Sequence, residues 1–219
     1  MTRRVPLKKF LPVCILVALI LFCVRSAAAR VSFGVKGGVN LANISVSPQP
    51  FEVAAFKTLI SPCGGIFFTL PLGAFGIQTE FMYARRGTQY EAFIDDGFYN
   101  VRWHHDYLEA IVLLKWSGLR VGPFRPFLLA GPSYGYLSRA SSVIYDSEGQ
   151  KVETVDSRDY FKKWELAAVF SAGLEFKTGL ARFSLEGRYH LGLSSVALSG
   201  FEVDYIKNNS ITILAGVSF

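Results

Sequence analysis

From Trp164 to Ser195 the chain runs through two stretches of alternating apolar and polar side chains, joined at Thr178-Gly179-Leu180-Ala181. In the first, Leu166, Ala168, Phe170, Ala172, Leu174 and Phe176 fall on one face, with Glu165, Ser171, Gly173, Glu175 and Lys177 on the other. In the second, Phe183, Leu185, Gly187, Tyr189, Leu191 and Leu193 alternate with Arg182, Ser184, Glu186, Arg188, His190 and Ser194. Side chains in a strand point to opposite faces with period two, so each stretch reads as a strand with one apolar and one polar face. A soluble sandwich shows the same alternation. Length separates the cases, because both stretches exceed the roughly 5–6 residues of an ordinary strand about twofold. A β-hairpin this long fits a wall that crosses a bilayer.

Residues 1–29 read as a secretory signal peptide. Arg3, Arg4, Lys8 and Lys9 form a basic start, residues 10–24 are apolar apart from Pro12, and Ala27, Ala28 and Ala29 offer small residues for cleavage before Arg30. The apolar run is shorter than the roughly 20 residues a membrane-spanning helix needs. Neither Cys14 nor Cys23 follows the small-residue box of a lipoprotein. The segment holds five basic residues and no acid, so the net charge of +6 falls to +1 once it is removed. The basic balance is therefore an address label, and no nucleic-acid partner is expected. Cys63 becomes the single thiol, which leaves no internal disulfide and no cysteine-based metal site. Residues 30–219 contain no further apolar run long enough for a helical span. An exported chain that crosses a membrane without helices does so as a closed barrel, since only closure satisfies every backbone group in lipid.

The same alternation marks strands at 31–45, 58–70, 74–86, 103–116, 124–138 and 207–219, eight in all with the opening pair. Four connections are long (46–57, 87–102, 139–163 and 196–206), and between them fall three short ones. Long extracellular loops alternating with short periplasmic turns are the pattern of an outer-membrane barrel. The expected fold is all-β: an eight-stranded antiparallel up-and-down transmembrane β-barrel in the bacterial outer membrane. Tyr83, Trp103, Trp116, Tyr134, Tyr136, Trp164 and Tyr189 lie mostly near strand ends, where an aromatic girdle would meet the headgroups.

Several segments resemble one family. Gly34-Val35-Lys36-Gly37-Gly38-Val39-Asn40-Leu41-Ala42-Asn43 is similar to the opening strand of the porin family, or outer membrane protein beta-barrel domain, proteins common in Bacteroidetes. Ile77-Gln78-Thr79-Glu80-Phe81-Met82-Tyr83, Tyr107-Leu108-Glu109, Arg125-Pro126-Phe127-Leu128-Leu129-Ala130-Gly131-Pro132 and Ala172-Gly173-Leu174-Glu175-Phe176 follow it in order. The resemblance implies an architecture like the OmpA transmembrane domain and supplies no catalytic residues. Terminal Phe219 resembles the C-terminal aromatic that outer-membrane assembly machinery reads as its signal. The implied partners are that machinery, outer-membrane lipids and lipopolysaccharide, with the protein a monomer and any extracellular ligand left open.

The charged face carries Lys36, Glu80, Glu109, Lys115, Glu175, Glu186, Arg188 and His190, together with Arg86, Glu165, Lys177 and Arg182. The expectation is an interior network with Arg188 as central donor, because buried charges must be paired. An eight-stranded barrel has an interior just wide enough for side chains to fill, which favours a plug over a pore. Two sets could carry chemistry. Trp103-His104-His105-Asp106-Tyr107 offers a metal site or a dyad, but consecutive strand residues point opposite ways. His190 and Ser194, with Glu186 on the same face, could form a lipid-hydrolase pair, but a hydrolase also needs an oxyanion hole. No catalytic residue, metal or cofactor is assigned. The expected function is a non-enzymatic envelope-structural or adhesion role through the loops. An outer-leaflet hydrolase or protease, a narrow pore for small solutes and a soluble lipocalin-like carrier remain as alternatives. Alternation alone does not say which face is inside.

Overall fold

The computed structural model describes residues 31–47, 57–94, 97–197 and 204–219. The proposed signal peptide and parts of the first and last long connections lie outside these residues. The strands are β1 (Ser32–Ser47), β2 (Lys57–Leu72), β3 (Phe75–Ile94), β4 (Gly97–Trp116), β5 (Phe124–Tyr145), β6 (Lys151–Asp156), β7 (Trp164–Thr178), β8 (Ala181–Gly192) and β9 (Tyr205–Ser218). Neighbours pair antiparallel in the order β4-β3-β2-β1-β9-β8-β7-β5, and β4 also pairs with β5. The sheet therefore closes into an eight-stranded barrel, and β6 stands outside the ring as a short strand added to β5.

Closure joins the first and last of the described strands. β1 and β9 pair without interruption from Gly34↔Ser218 to Ser47↔Tyr205. Beyond that ladder, Phe219 N–H donates to Phe33 O at 2.9 Å and Phe33 N–H to Phe219 O at 3.3 Å. No strand keeps an unpaired edge along the wall, as lipid requires. Gly38 lies at this seam, where a Cβ would stand 1.8 Å from Ile213 O. Only glycine lets the two backbones approach so closely.

The ring fixes inside and outside. Phe81, Leu108, Leu114, Phe170 and Ile213 face out and are exposed, Phe81 by 58%. A soluble protein does not sustain an apolar surface that encircles it, whereas a bilayer solvates one. The charged residues of the alternation are buried within. A carrier with an apolar lumen and a polar outer wall is the opposite arrangement. Two apolar clusters share the interior with the charges. One packs Cys63, Met82, Ile111, Leu113, Phe127, Leu129 and Leu214. The other packs Ile44, Tyr107, Leu137, Phe161, Val196 and Ile206 towards the end that carries the long connections.

Three strands run further than their sequence suggests. The connection expected at 87–102 is a continuous β3–β4 ladder that reaches Ile94↔Gly97. Gly87 looks like a turn in sequence. In the structure it has φ +133, and a Cβ there would meet Trp103 O at 1.9 Å, so it bends a strand without ending it. Thr88, Tyr90, Tyr99 and Val101 fit a pleated surface, with Thr88 and Val101 buried on its inner side. In the same way β5 continues to Tyr145 and turns back into β6. Asp146 caps that turn, its Oδ1 accepting the N–H groups of Glu148 at 3.0 Å and Gln150 at 2.8 Å. The chain then forms a short 3₁₀ turn, Arg158–Tyr160, and inserts Phe161 into the mouth of the barrel, 4% exposed.

Gly38→Val places backbone-clashing atoms in the seam and is expected to destabilise the barrel by about 3 kcal/mol or more. Gly37→Ala makes only ordinary van der Waals contact, with the nearest atom 3.7 Å from the new Cβ, and should be neutral. Gel mobility with and without boiling checks both: the heat-shifted folded band is lost in the first variant and kept in the second.

Candidate functional site

The interior is built by pairing charges, many of them across strands that are not neighbours. Lys36 on β1 reaches Glu80 of β3 and Glu186 of β8, each at 2.8 Å. Arg188 on β8 reaches the same two carboxylates, Glu80 at 2.9 Å and Glu186 at 2.6 Å. Two acids and two bases thus form a closed, neutral ring in which each acid touches both bases. Ser171 accepts from Arg188 Nε at 3.2 Å. Gln78 Nε2 donates to Glu80 at 2.7 Å and is itself held by the Thr69 hydroxyl at 3.0 Å. The Lys36 ammonium also lies over the Phe67 ring, 4.9 Å from its centre.

A second cluster centres on Arg86 of β3. It pairs with Glu109 of β4 and, at 3.1 Å, with Glu165 of β7. Arg86 Nη2 also donates to His190 Nδ1 at 2.9 Å. A guanidinium has no acceptor, so this contact fixes the tautomer. Nδ1 is unprotonated, and the Nε2 proton faces Glu165 Oε1 at 3.8 Å. Asn208 Nδ2 donates to the other Glu165 oxygen at 3.1 Å and lies 3.2 Å from the Tyr107 hydroxyl. A third pair, Lys115 with Glu175, lies towards the short-turn end, where Arg182 approaches Glu175 at 3.9 Å.

The structure therefore places Lys36, Glu80, Glu109, Lys115, Glu175, Glu186, Arg188 and His190 inside, together with Arg86 and Glu165. Two residues of the same face are not enclosed. Lys177 is exposed and the Arg182 side chain is 37% exposed, because both sit at strand ends where the lumen opens to water. The reading by charge overlooks the neutral polar partners. Asn40 bridges Thr212 Oγ1 and Arg85 O, and Gln78 and Asn208 orient Glu80 and Glu165. Their inward parity was the available signal.

The two chemical candidates come apart. His105 points inward and is fully buried against Phe161, ring centres 4.3 Å apart. Asp106 faces out and is gripped by Arg85, with Nε–Oδ1 at 2.6 Å and Nη2–Oδ2 at 3.1 Å. His104 shares the parity of Asp106, so the consecutive histidines do not converge. Among the described residues no three His, Cys, Asp or Glu side chains gather as a metal site would need. Ser194 lies past the end of β8, and its Oγ accepts the Leu166 N–H at 2.9 Å. The imidazole of His190 is engaged with Arg86 and Glu165 instead.

Of the aromatic set, Tyr134 and Trp164 stack at 5.0 Å on the outer wall, and Tyr136 meets Trp164 at 4.7 Å. Tyr189 is exposed, and Tyr83 and Trp116 are partly so. Trp103 does not belong with them. Its position in β4 has the parity of His105, Tyr107 and Glu109, so it turns inward and packs on Tyr90, His105 and Phe161. Phe219 follows β9 and is 70% exposed.

A family model described as outer membrane protein beta-barrel domain matches residues 25–198. No curated protein matches the chain in sequence. Among solved structures it is similar to Ail, the attachment invasion locus protein of Yersinia pestis, at 14% identity, covering 86% of this chain and 99% of that one with TM-score 0.42. It is similar to Neisserial surface protein A at 14% identity, covering 85% and 95% with TM-score 0.43. It is also similar to the outer membrane protease OmpT of Escherichia coli at 10% identity, covering 86% and 96% with TM-score 0.40.

Removing one member of the neutral ring strands a buried charge. Arg188→Met is expected to cost about 3–5 kcal/mol. Adding Glu186→Gln, which leaves Lys36 and Glu80 as a neutral pair, should recover much of that loss. Urea titration of the refolded barrel followed by tryptophan fluorescence compares the single and double variants.

Proposed function

The chain belongs to the outer membrane protein beta-barrel domain family, and we propose that it is a non-enzymatic, monomeric barrel with a sealed interior that holds rigid β-hairpins outside the cell for adhesion or ligand contact. The observation that carries this reading is the closed ring of Lys36, Glu80, Glu186 and Arg188 spanning the lumen from β1 to β8. Side chains engaged with one another across the barrel support a filled lumen whose acids are held by bases. The apolar cluster capped by Phe161 supports the same reading at the mouth. Binding functions favour segments held on a rigid scaffold. Here the β3–β4 ladder and the β5–β6 hairpin extend beyond the aromatic wall as continuous sheet.

Export fits this account: residues 1–29 act as the signal peptide, and the mature chain is a porin-family barrel of the Bacteroidetes type. The exposed apolar belt is solvated by outer-membrane lipids and lipopolysaccharide, and Phe219, free of the core, serves as the signal for the assembly machinery. The hydrolase reading has less support. His190 is turned to Arg86 and Glu165, Ser194 is spent on backbone, and His104 and His105 face opposite sides.

Liposomes reconstituted with the refolded protein test the reading. No solute-driven swelling above empty liposomes is expected, and porin-like swelling would sink the sealed interior. His190→Ala and Ser194→Ala should leave the lipid A mass profile of expressing cells unchanged. A change in that profile with wild-type protein that either variant abolishes would establish the enzyme instead.

A further inference from the structure

On one side of the wall, an apolar groove and a group of basic side chains meet end to end. The groove is a cavity of about 520 Å³ on the outer face of β2–β5 and β7, within the range of ligand clefts. Its floor is shallow because Gly64 and Ala110 carry little or no side chain, and Phe81, Tyr134, Tyr136 and Trp164 rise around it. Tyr and Trp on a barrel wall mark the level of the lipid headgroups. Immediately beyond, Trp164 also borders a second cavity of about 410 Å³, lined by Arg158, Asp159, Lys162 and Lys163. The three cations exceed the one acid there by two charges. Lys162 and Lys163 are exposed, and Arg158 is oriented by donating to the Tyr136 hydroxyl at 2.8 Å, with its guanidinium 5.9 Å from that ring.

Backbone contacts hold this arrangement in place. Leu137 N–H donates to Lys163 O at 2.8 Å, and Lys162 N–H donates to Val196 O at 2.8 Å. Phe161, which directly precedes Lys162, is buried and anchors the segment in the mouth. A bulge in β5 at Ser138, whose hydroxyl donates to Asp106 O at 2.8 Å, keeps Leu137 and Ala140 inside while Arg139 is exposed. Across the barrel, the outer faces of β1 and β9 end in Asn43, Ser45, Asn209 and a single cation, Lys207, with Asn209 bonded to Ser45 at 2.8 Å and Lys207 over the Tyr205 ring.

We infer that this side of the barrel is a binding site for a phosphate-bearing lipid of the outer leaflet, with one acyl chain in the groove over Ala110 and a phosphate on Arg158, Lys162 and Lys163. An acyl chain suits an apolar trough at bilayer depth. A phosphate suits guanidinium and ammonium groups fixed at headgroup level, where the surrounding medium is less polar than water. The inference rests on the outer-membrane reading above.

The test uses the full mature chain, refolded in detergent, with bisphosphorylated lipid A as the probe and phosphatidylcholine as the comparison. Native mass spectrometry reads the bound lipid, and gel mobility on the same samples reports folding. One lipid A per barrel is expected, retained at least about tenfold over phosphatidylcholine. Lys162→Glu with Lys163→Glu should lower retention by about tenfold or more, as each basic group near an anionic lipid surface contributes about fivefold. Ala110→Trp fills the groove from the lipid side and should lower it as well. Equal retention of the two lipids, or no effect of the charge reversal, overturns the site. Loss with the charge reversal but not with Ala110→Trp also overturns it, in favour of a soluble anion held by the basic group alone. Absence of a heat-shifted band in the wild type would instead be failure of the barrel reading itself.

Discussion

The β1–β9 ladder is the interaction on which everything else depends. Fourteen residue pairs, from Gly34↔Ser218 to Ser47↔Tyr205, turn a long antiparallel sheet into a ring. In water, an open edge is a liability; in hydrocarbon, each unsatisfied backbone group there costs several kcal/mol. Closure then dictates two solvents. The outer wall must be apolar along its whole circumference, and the lumen, too narrow for bulk water, must be filled by side chains. The alternation of each strand is the consequence of meeting both demands with one residue every 3.3 Å or so.

Filling a narrow lumen with charges works only when the charges cancel. Removing two ions from water costs several kcal/mol each, and their attraction offsets this only with good geometry and further hydrogen bonds. The interior meets that condition with Arg188 and Lys36 shared between the same two carboxylates, and with Gln78, Thr69 and Ser171 orienting them. The apolar residues between the clusters, such as Leu113 and Phe127, supply packing without polar demands. A lumen of this kind is a specifically interlocked core, opposite to a soluble protein's in polarity.

Much of this was legible because period two is a strong code. The strands, their order and the inward set of charges follow from alternation, and the ring shows which face is inside. What was not legible has local causes. Gly87 reads as a turn, yet its positive φ bends a ladder that continues to Ile94. Trp103 reads as girdle by its neighbourhood in sequence, but its parity places it with His105. Ser138 adds a residue to β5, so parity counted from Tyr134 fails beyond it. Asn40, Gln78 and Asn208 were passed over because a neutral amide carries no charge to mark it, although each completes a buried network.

The neutral ring also bears on the seam. Its members come from β1, β3 and β8, and between β1 and β8 in the wall stands only β9. Lys36 reaches Glu186 at 2.8 Å behind that strand, so the seam is held twice: by the backbone ladder in the wall and by an ion pair on the lumen side. A break at β9 would therefore uncover buried charge as well as backbone, which makes opening the circle costlier than the ladder alone.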